Sequence, residues 1–219
     1  DQPRGGILIR MRASSPMRFF SATHCGPHSA SIRLAMRSSS ACAAWVRAHA
    51  AARPGLKVLN LFAYSCAFSV VALQAGAGQV INMDMSDGAL AIGKRNHLLN
   101  GLTLGARFLP HDIFSSWGKI GRDGPYDLII LDPPSYQKGS FIAEKDYARL
   151  MRRLPDLLAP GGHALVCLNS PKLGVAFLQD QMQALAPQLS FEQRLPNPAE
   201  FADISTERSL KVLVYKAPD

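Results

Sequence analysis

The chain has no C-x-x-C pair, and its four cysteines, Cys25, Cys42, Cys66 and Cys167, show no metal-ligand spacing with its histidines. No metal is therefore expected, and free thiols point to a reducing, cytoplasmic setting. The G-x-G-x-x-G turn that lets backbone approach a pyrophosphate is missing, as is the G-x-x-x-x-G-K-[ST] phosphate loop, which argues against a dinucleotide or nucleoside triphosphate ligand. No charge occurs from Val58 to Met83, yet Asn60, Ser65, Ser69, Gln74 and the break Gly76-Ala77-Gly78 make this run a strand, turn, helix and strand and not a membrane span. Acids are scarce at the front: residues 1–57 hold nine Lys/Arg against the single acid Asp1, and the remainder hold 15 of each sign. The formal charge of +8 thus belongs to the leading segment, and a basic-patch argument for RNA rests on that segment alone.

What is present suffices for one sizeable core, with 219 residues of which 47% are hydrophobic. Strands are predicted at Lys57 to Phe62, Gln79 to Met83, Ala106 to Leu109, Tyr126 to Leu131 and His163 to Leu168. Helices are predicted at Cys66 to Leu73, Ala89 to Asn100 and Phe177 to Leu185. Tyr147, Leu150, Met151, Leu154 and Leu158 recur at helical spacing, with Pro155 dividing that helix and Pro160-Gly161-Gly162 turning the chain into the fifth strand. Two last strands, near Ser190 to Arg194 and Leu210 to Tyr215, lack a crossover helix and suggest an antiparallel hairpin. Strands alternating with helices give an α/β fold around a doubly wound, mostly parallel seven-stranded sheet. Residues 1–45 differ in kind, being basic and rich in Ser and Ala, although Ala41 to Ala52 has the composition of one helix. They are expected to form a leader that is processed, disordered or foreign to the domain at 46–219.

One stretch, LIILDPPSY, runs four apolar residues into Asp132, Pro133, Pro134, Ser135 and Tyr136. An all-apolar strand is covered on both faces, as in parallel sheets whose ligands sit at the carboxyl ends of the strands. The prolines stiffen the backbone after the acid because each locks φ. Asp84, Asp112 and Asp132 each follow a predicted parallel strand, so all three face one edge of the sheet beside the turn Asn60 to Cys66. Three acids along one rim suggest a ligand site, and without a phosphate loop a nucleoside fits it best. The acid after the second strand would take ribose hydroxyls, and the acid after the third an adenine amino group.

The motifs NLFAYSCAFSV (60–70), VINMDMSDGALAIGKRNHLLNG (80–101), HDIF (111–114), LDPPSYQKGSF (131–141), LAPGG (158–162) and LKVLVY (210–215) occur in this order. From about Val58 to Lys216 the chain resembles the class I methyltransferases dependent on S-adenosylmethionine (SAM), and among them the bacterial large-subunit (23S) ribosomal RNA methyltransferases. The resemblance implies a Rossmann-like fold with a C-terminal antiparallel hairpin, SAM as cofactor and ribosomal RNA as partner. It implies that Asn60 and the turn Phe62, Ala63, Tyr64, Ser65 and Cys66 bind the cofactor, the turn wrapping its methionine part. Asp84 would hold the ribose, Met85 would lie against adenine, and Asp112 with Ile113 would meet the adenine amino edge. Asp132, Pro133, Pro134 and Tyr136 would form the catalytic loop, the acid and a proline carbonyl orienting an exocyclic amine and Tyr136 stacking on a base.

Relatives that methylate carbon 5 of cytosine use a cysteine near the end of the fifth strand. Here Asn169 stands at that place and Cys167 two residues earlier, a shift of about 7 Å along a strand. That favours a nitrogen target and a core role for Cys167. Ser135 occupies the place of the aromatic in the acid-Pro-Pro-aromatic pattern, with Tyr136 one position later, and Lys138 is either a phosphate contact or a solvated lysine. The rival readings are a cytosine carbon-5 enzyme, a SAM- or RNA-binding module without turnover, and a small-molecule methyltransferase.

Overall fold

The structure, a computed structural model, describes residues 40–134, 136–137, 141–197 and 209–219, with the backbone alone for residues 40, 136 and 137. The expectations for residues 1–39, for Ser135 and Lys138 and for the side chain of Tyr136 lie outside the described residues.

The apolar run Leu128–Leu131 lies at the centre of the fold as expected, in β4 (Tyr126–Leu131). The other strands are β1 (Lys57–Leu61), β2 (Gln79–Asp84), β3 (Ala106–Pro110), β5 (Tyr136–Gln137), β6 (Phe141–Ile142), β7 (Leu158–Leu168), β8 (Ser190–Arg194) and β9 (Lys211–Lys216). A seven-stranded sheet has the order β3-β2-β1-β4-β7-β9-β8, while β5 and β6 form a separate pair. β1 runs parallel to β2 and β4, β2 to β3, and β4 to β7, whereas β9 is antiparallel to both β7 and β8. The last two strands are thus the expected antiparallel pair, but β9 inserts between β7 and β8, so the chain's last strand is not an edge.

Helices cover both faces. α1 (Ser40–Ala52) and α2 (Ala67–Gln74) close one face with Val58, Val80, Leu128, Ile130, Leu165 and Val214. α3 (Asp87–Leu99) packs beside them through Leu90 against Cys66. The other face, with Leu59, Ile81, Ile129, Leu131 and Val166, lies under α4 (Trp117–Asp123), α5 (Ala143–Met151), α6 (Leu154–Leu157) and α7 (Val175–Leu185). Burial of these side chains, each contributing roughly 1.5–3 kcal/mol, drives the two-faced packing.

Local chemistry explains the boundaries. Gly76, at φ 108°, caps α2 in a conformation that costs a non-glycine residue, and Ser86 Oγ accepts from Ala89 N at 3.2 Å to start α3. Pro155 divides the expected helix, and Leu158, expected to continue its spacing, opens β7 instead. Pro160-Gly161-Gly162 forms an irregularity inside that strand, where pairing jumps from Tyr126↔Leu158 to Leu128↔His163. α1 starts before residue 46, and Cys42, Val46 and Ala50 on it are buried against the sheet.

α1 also carries His49, whose ring stacks on Trp45 at 4.6 Å and meets His163 edge-on at 4.5 Å. Burial, then the neighbouring His163 and Arg53, lowers its pKa to about 4. As pH falls from 6.5 toward 4 the unfolded chain takes up a proton that folded His49 refuses, so stability must fall. Discounted for partial solvent access, the loss is roughly 1 to 2 kcal/mol. His49→Phe keeps the stack on Trp45 and is expected to gain that amount over the wild type between pH 7.5 and 5. Urea denaturation at both pH values checks it, and an equal offset at the two would exclude the role.

Candidate functional site

The carboxyl ends of the parallel strands gather the expected residues on one rim. β1 neighbours β2 on one side and β4 on the other, so the crevice where strand order reverses opens between β1 and β4. The turn after β1 forms one wall of it and Asp132-Pro133-Pro134 the other.

The turn is built from strained backbone. Phe62, Tyr64 and Cys66 have φ of 57°, 44° and 59°. Each left-handed non-glycine residue costs on the order of 1–2 kcal/mol, and such strain clusters at ligand sites. Cys66 N donates to Ala63 O within the turn at 2.7 Å, and tertiary contacts hold it from outside, Ala63 N donating to Met83 O at 3.1 Å and Asn96 Nδ2 to Ser65 O at 3.0 Å. Gly93 lets α3 come close, since a Cβ there would collide with Cys66 Sγ.

Asp84 closes the wall. Its Oδ2 accepts from Tyr64 N at 2.9 Å and its Oδ1 from Ser86 N at 2.8 Å. A carboxylate has about four acceptor sites, so capacity for two hydroxyl donors remains. Beside it Met85 is 53% exposed and Tyr64 45%, apolar surface at a rim where a ligand ring would cover it. Asp112 caps the short 3-10 turn Ile113–Ser115, its Oδ1 accepting from Phe114 N at 3.1 Å. Ile113 is buried, so its side chain serves the core under that end of the rim.

Two expected residues are turned inward. Asn60 is 1% exposed in β1, and its Nδ2 donates to Asn82 Oδ1 at 2.9 Å. The Cys66 thiol is enclosed, and burial followed by the charge of Asp84 pushes its pKa far up. Neither side chain reaches the rim, and each supports the turn from behind.

Sequence reasoning missed that support. Asn82 Nδ2 donates to Ser69 Oγ at 3.0 Å, and Ser69 Oγ meets His97 Nε2 at 2.9 Å, while His97 Nδ1 lies 2.7 Å from Gly93 O. The chain from Asn60 to Gly93 links β1, β2, α2 and α3 beneath the turn. Its signal in the sequence is the placement of Asn60 and Asn82 inside otherwise apolar strands, where a buried amide needs a partner.

On the opposite wall Pro133 is buried and Asp132 half-buried. Burial raises the Asp132 pKa to about 6. Burial, then the charges of Cys167 and Asp132, raises the Tyr147 pKa well above its ordinary value. The Tyr147 hydroxyl donates to Cys167 O at the end of β7, tying that strand to α5. Cys167 is buried, and a hydrogen bond with the Cys42 thiol, then burial, pushes its pKa well up. Tyr136 pairs through its backbone with Ile142, which fixes where the loop leaves the rim.

Among the described residues no cluster suits a metal, and no helix is long and apolar enough to cross a membrane. A family model described as S-adenosylmethionine-dependent methyltransferase matches residues 24–216. Over 116 residues the chain is 40% identical to the ribosomal RNA large subunit methyltransferase K/L of Psychrobacter sp. (strain PRwf-1), covering 49% of this chain and 14% of that protein. Over 113 residues it is 40% identical to the ribosomal RNA large subunit methyltransferase I of Aeromonas hydrophila, covering 49% of this chain and 28% of that protein. A solved protein described as a methyltransferase, complexed with SAH, superposes with a TM-score of 0.71 at 27% identity, covering 79% of this chain and 48% of the other. The chain is thus matched to less than a third of the length of these two curated relatives.

Proposed function

The chain belongs to the S-adenosylmethionine-dependent methyltransferase family, and from that premise we propose that it methylates a base nitrogen of large-subunit ribosomal RNA in the cytoplasm. The observation that carries this reading is the placement of Asp132-Pro133-Pro134 across the β1/β4 crevice from the strained turn and Asp84. The relatives named for ribosomal RNA supply the substrate class.

The rim fits the cofactor. Asp84 has acceptor capacity for two ribose hydroxyls, Met85 offers an apolar face for adenine, and Asp112 retains acceptors for its amino group. S-adenosylmethionine, when bound, supplies a methyl group on an already electrophilic sulfonium. What the chain contributes is orientation and water exclusion. The Asp132 carboxylate and the Pro133 carbonyl accept the two N–H groups of an exocyclic amine, turning its nitrogen toward the cofactor wall. With a pKa of about 6, Asp132 is ionised at neutral pH yet basic enough to take the proton the amine gives up.

Cys167 is unsuited to nucleophilic attack, being buried with its thiol held protonated. Cys167→Ser is expected to keep methyl transfer to ribosomal RNA within about threefold, since a buried hydroxyl of similar size replaces the thiol. A folded but inactive serine variant, together with a covalent RNA adduct of the wild type, would replace the nitrogen mechanism by attack on cytosine carbon 6.

A further inference from the structure

Phe141 has no place among the residues assigned to cofactor or base, yet it sits where the two walls of the site meet. It is 1% exposed, in the strand β6 that pairs with Tyr136–Gln137 just beyond the Asp132-Pro133-Pro134 loop. Phe62, from the strained turn, packs edge-on against it at 5.3 Å. Phe114, two residues after Asp112, stacks on it at 6.4 Å, and Tyr147 meets it edge-on at 5.5 Å. One ring therefore touches the methionine wall, the adenine wall and the helix that bonds to the end of β7.

A polar brace closes the same contact from outside. Ile142 N donates to Asp146 Oδ2 at 2.8 Å, and Asp146 Oδ1 pairs with Arg149 Nη1 at 3.0 Å. The Arg149 guanidinium lies 3.8 Å over the Phe114 ring. The base of the β5–β6 pair is thus pinned to Phe114 twice, once through Phe141 and once through Asp146 and Arg149.

We infer that Phe141 is a positioning residue that couples the cofactor walls to the loop meeting the target base. The inference rests on the cofactor reading of the rim. A ligand that clamps the turn and the Asp112 side fixes Phe62 and Phe114, and through their contact with Phe141 fixes the strands that carry the loop. Coupling of this kind needs contiguous packing, which the rings supply.

The test uses amide hydrogen exchange with SAH as the probe, so it reads coupling without RNA. In the wild type SAH is expected to slow exchange of a peptide spanning residues 136–142 by at least about threefold. In Phe141→Leu SAH should bind within about threefold of the wild-type Kd while that protection disappears. On ribosomal RNA the same variant should lose roughly 10- to 100-fold in kcat with the KM for SAM little changed, the cost of about 1 Å of misplacement. Should Phe141→Leu fail to fold, Asp146→Ala frees the Ile142 amide, leaves the core filled and is expected to weaken the same protection. Absence of SAH binding to the wild type would remove the cofactor reading. SAH binding without protection of 136–142 would overturn the inference alone, as would a Phe141→Leu variant that keeps protection and kcat or loses SAH affinity tenfold.

Discussion

Asp132→Ala is expected to lower methyl transfer by at least about 100-fold, the scale for losing a positioned acid–base group, while leaving the protein folded and no less stable at pH 8. The activity loss follows from removing the acceptor that would orient the amine and take its proton. The stability result follows from burial. A carboxyl whose pKa rises from 3.8 to about 6 on folding binds its proton more tightly when folded, so stability falls as pH rises through that interval and stays reduced above it. The lost stability is about 3 kcal/mol at pH 8, and alanine recovers it less the cost of a small cavity. Asp132→Asn keeps one acceptor oxygen, so it should retain measurable transfer but lose the rise of rate through pH 6. Between pH 4 and 6 the effect of Asp132 opposes that of His49, so the wild-type profile mixes the two and the variants separate them. Rate and urea stability from pH 5 to 8 check this, and an Asp132→Ala protein with wild-type transfer would remove Asp132 from the site.

Asp84→Ala is expected to weaken SAH binding roughly 10- to 150-fold, the 1.5–3 kcal/mol range of hydrogen bonds to a charged group. Both carboxylate oxygens already hold backbone amides, from Tyr64 and Ser86. Alanine therefore removes the ribose acceptors and also loosens the turn whose residues 62, 64 and 66 sit in left-handed backbone. Asp84→Asn keeps one oxygen for Tyr64 or Ser86 and should lose less. Calorimetry with SAH measures both, and unchanged affinity in a folded Asp84→Ala protein would sink the assignment.

The acids were legible in the sequence because strand ends are. Asp84 ends β2, Asp132 directly follows β4 and Asp112 comes two residues after β3, so the acids fall at the strand edge where ligands sit. Pro155 was legible as a helix breaker for a local reason, its missing N–H and fixed φ. Long-range geometry was not. Nothing in N-L-F-A-Y-S-C announces three left-handed residues, since glycine, the usual marker, is absent; Met83 O, Asp84 and Asn96 impose that shape from other elements. Asn60 looked like a rim residue because it precedes the turn, whereas strand alternation aims it at Asn82. Phe141 has no local signal that sets it apart, and only the meeting of Phe62, Phe114 and Tyr147 around it gives it a role.

The central claim is that this rim directs a methyl group onto a base nitrogen of ribosomal RNA. Its most direct test incubates the protein with methyl-labelled SAM and total RNA from cells lacking the enzyme, then digests the RNA to nucleosides and locates the label. Label is expected in a single N-methylated nucleoside of the large-subunit RNA, absent with Asp132→Ala. Label in 5-methylcytidine, in protein or in a small metabolite, with none in an N-methylated nucleoside, would contradict it.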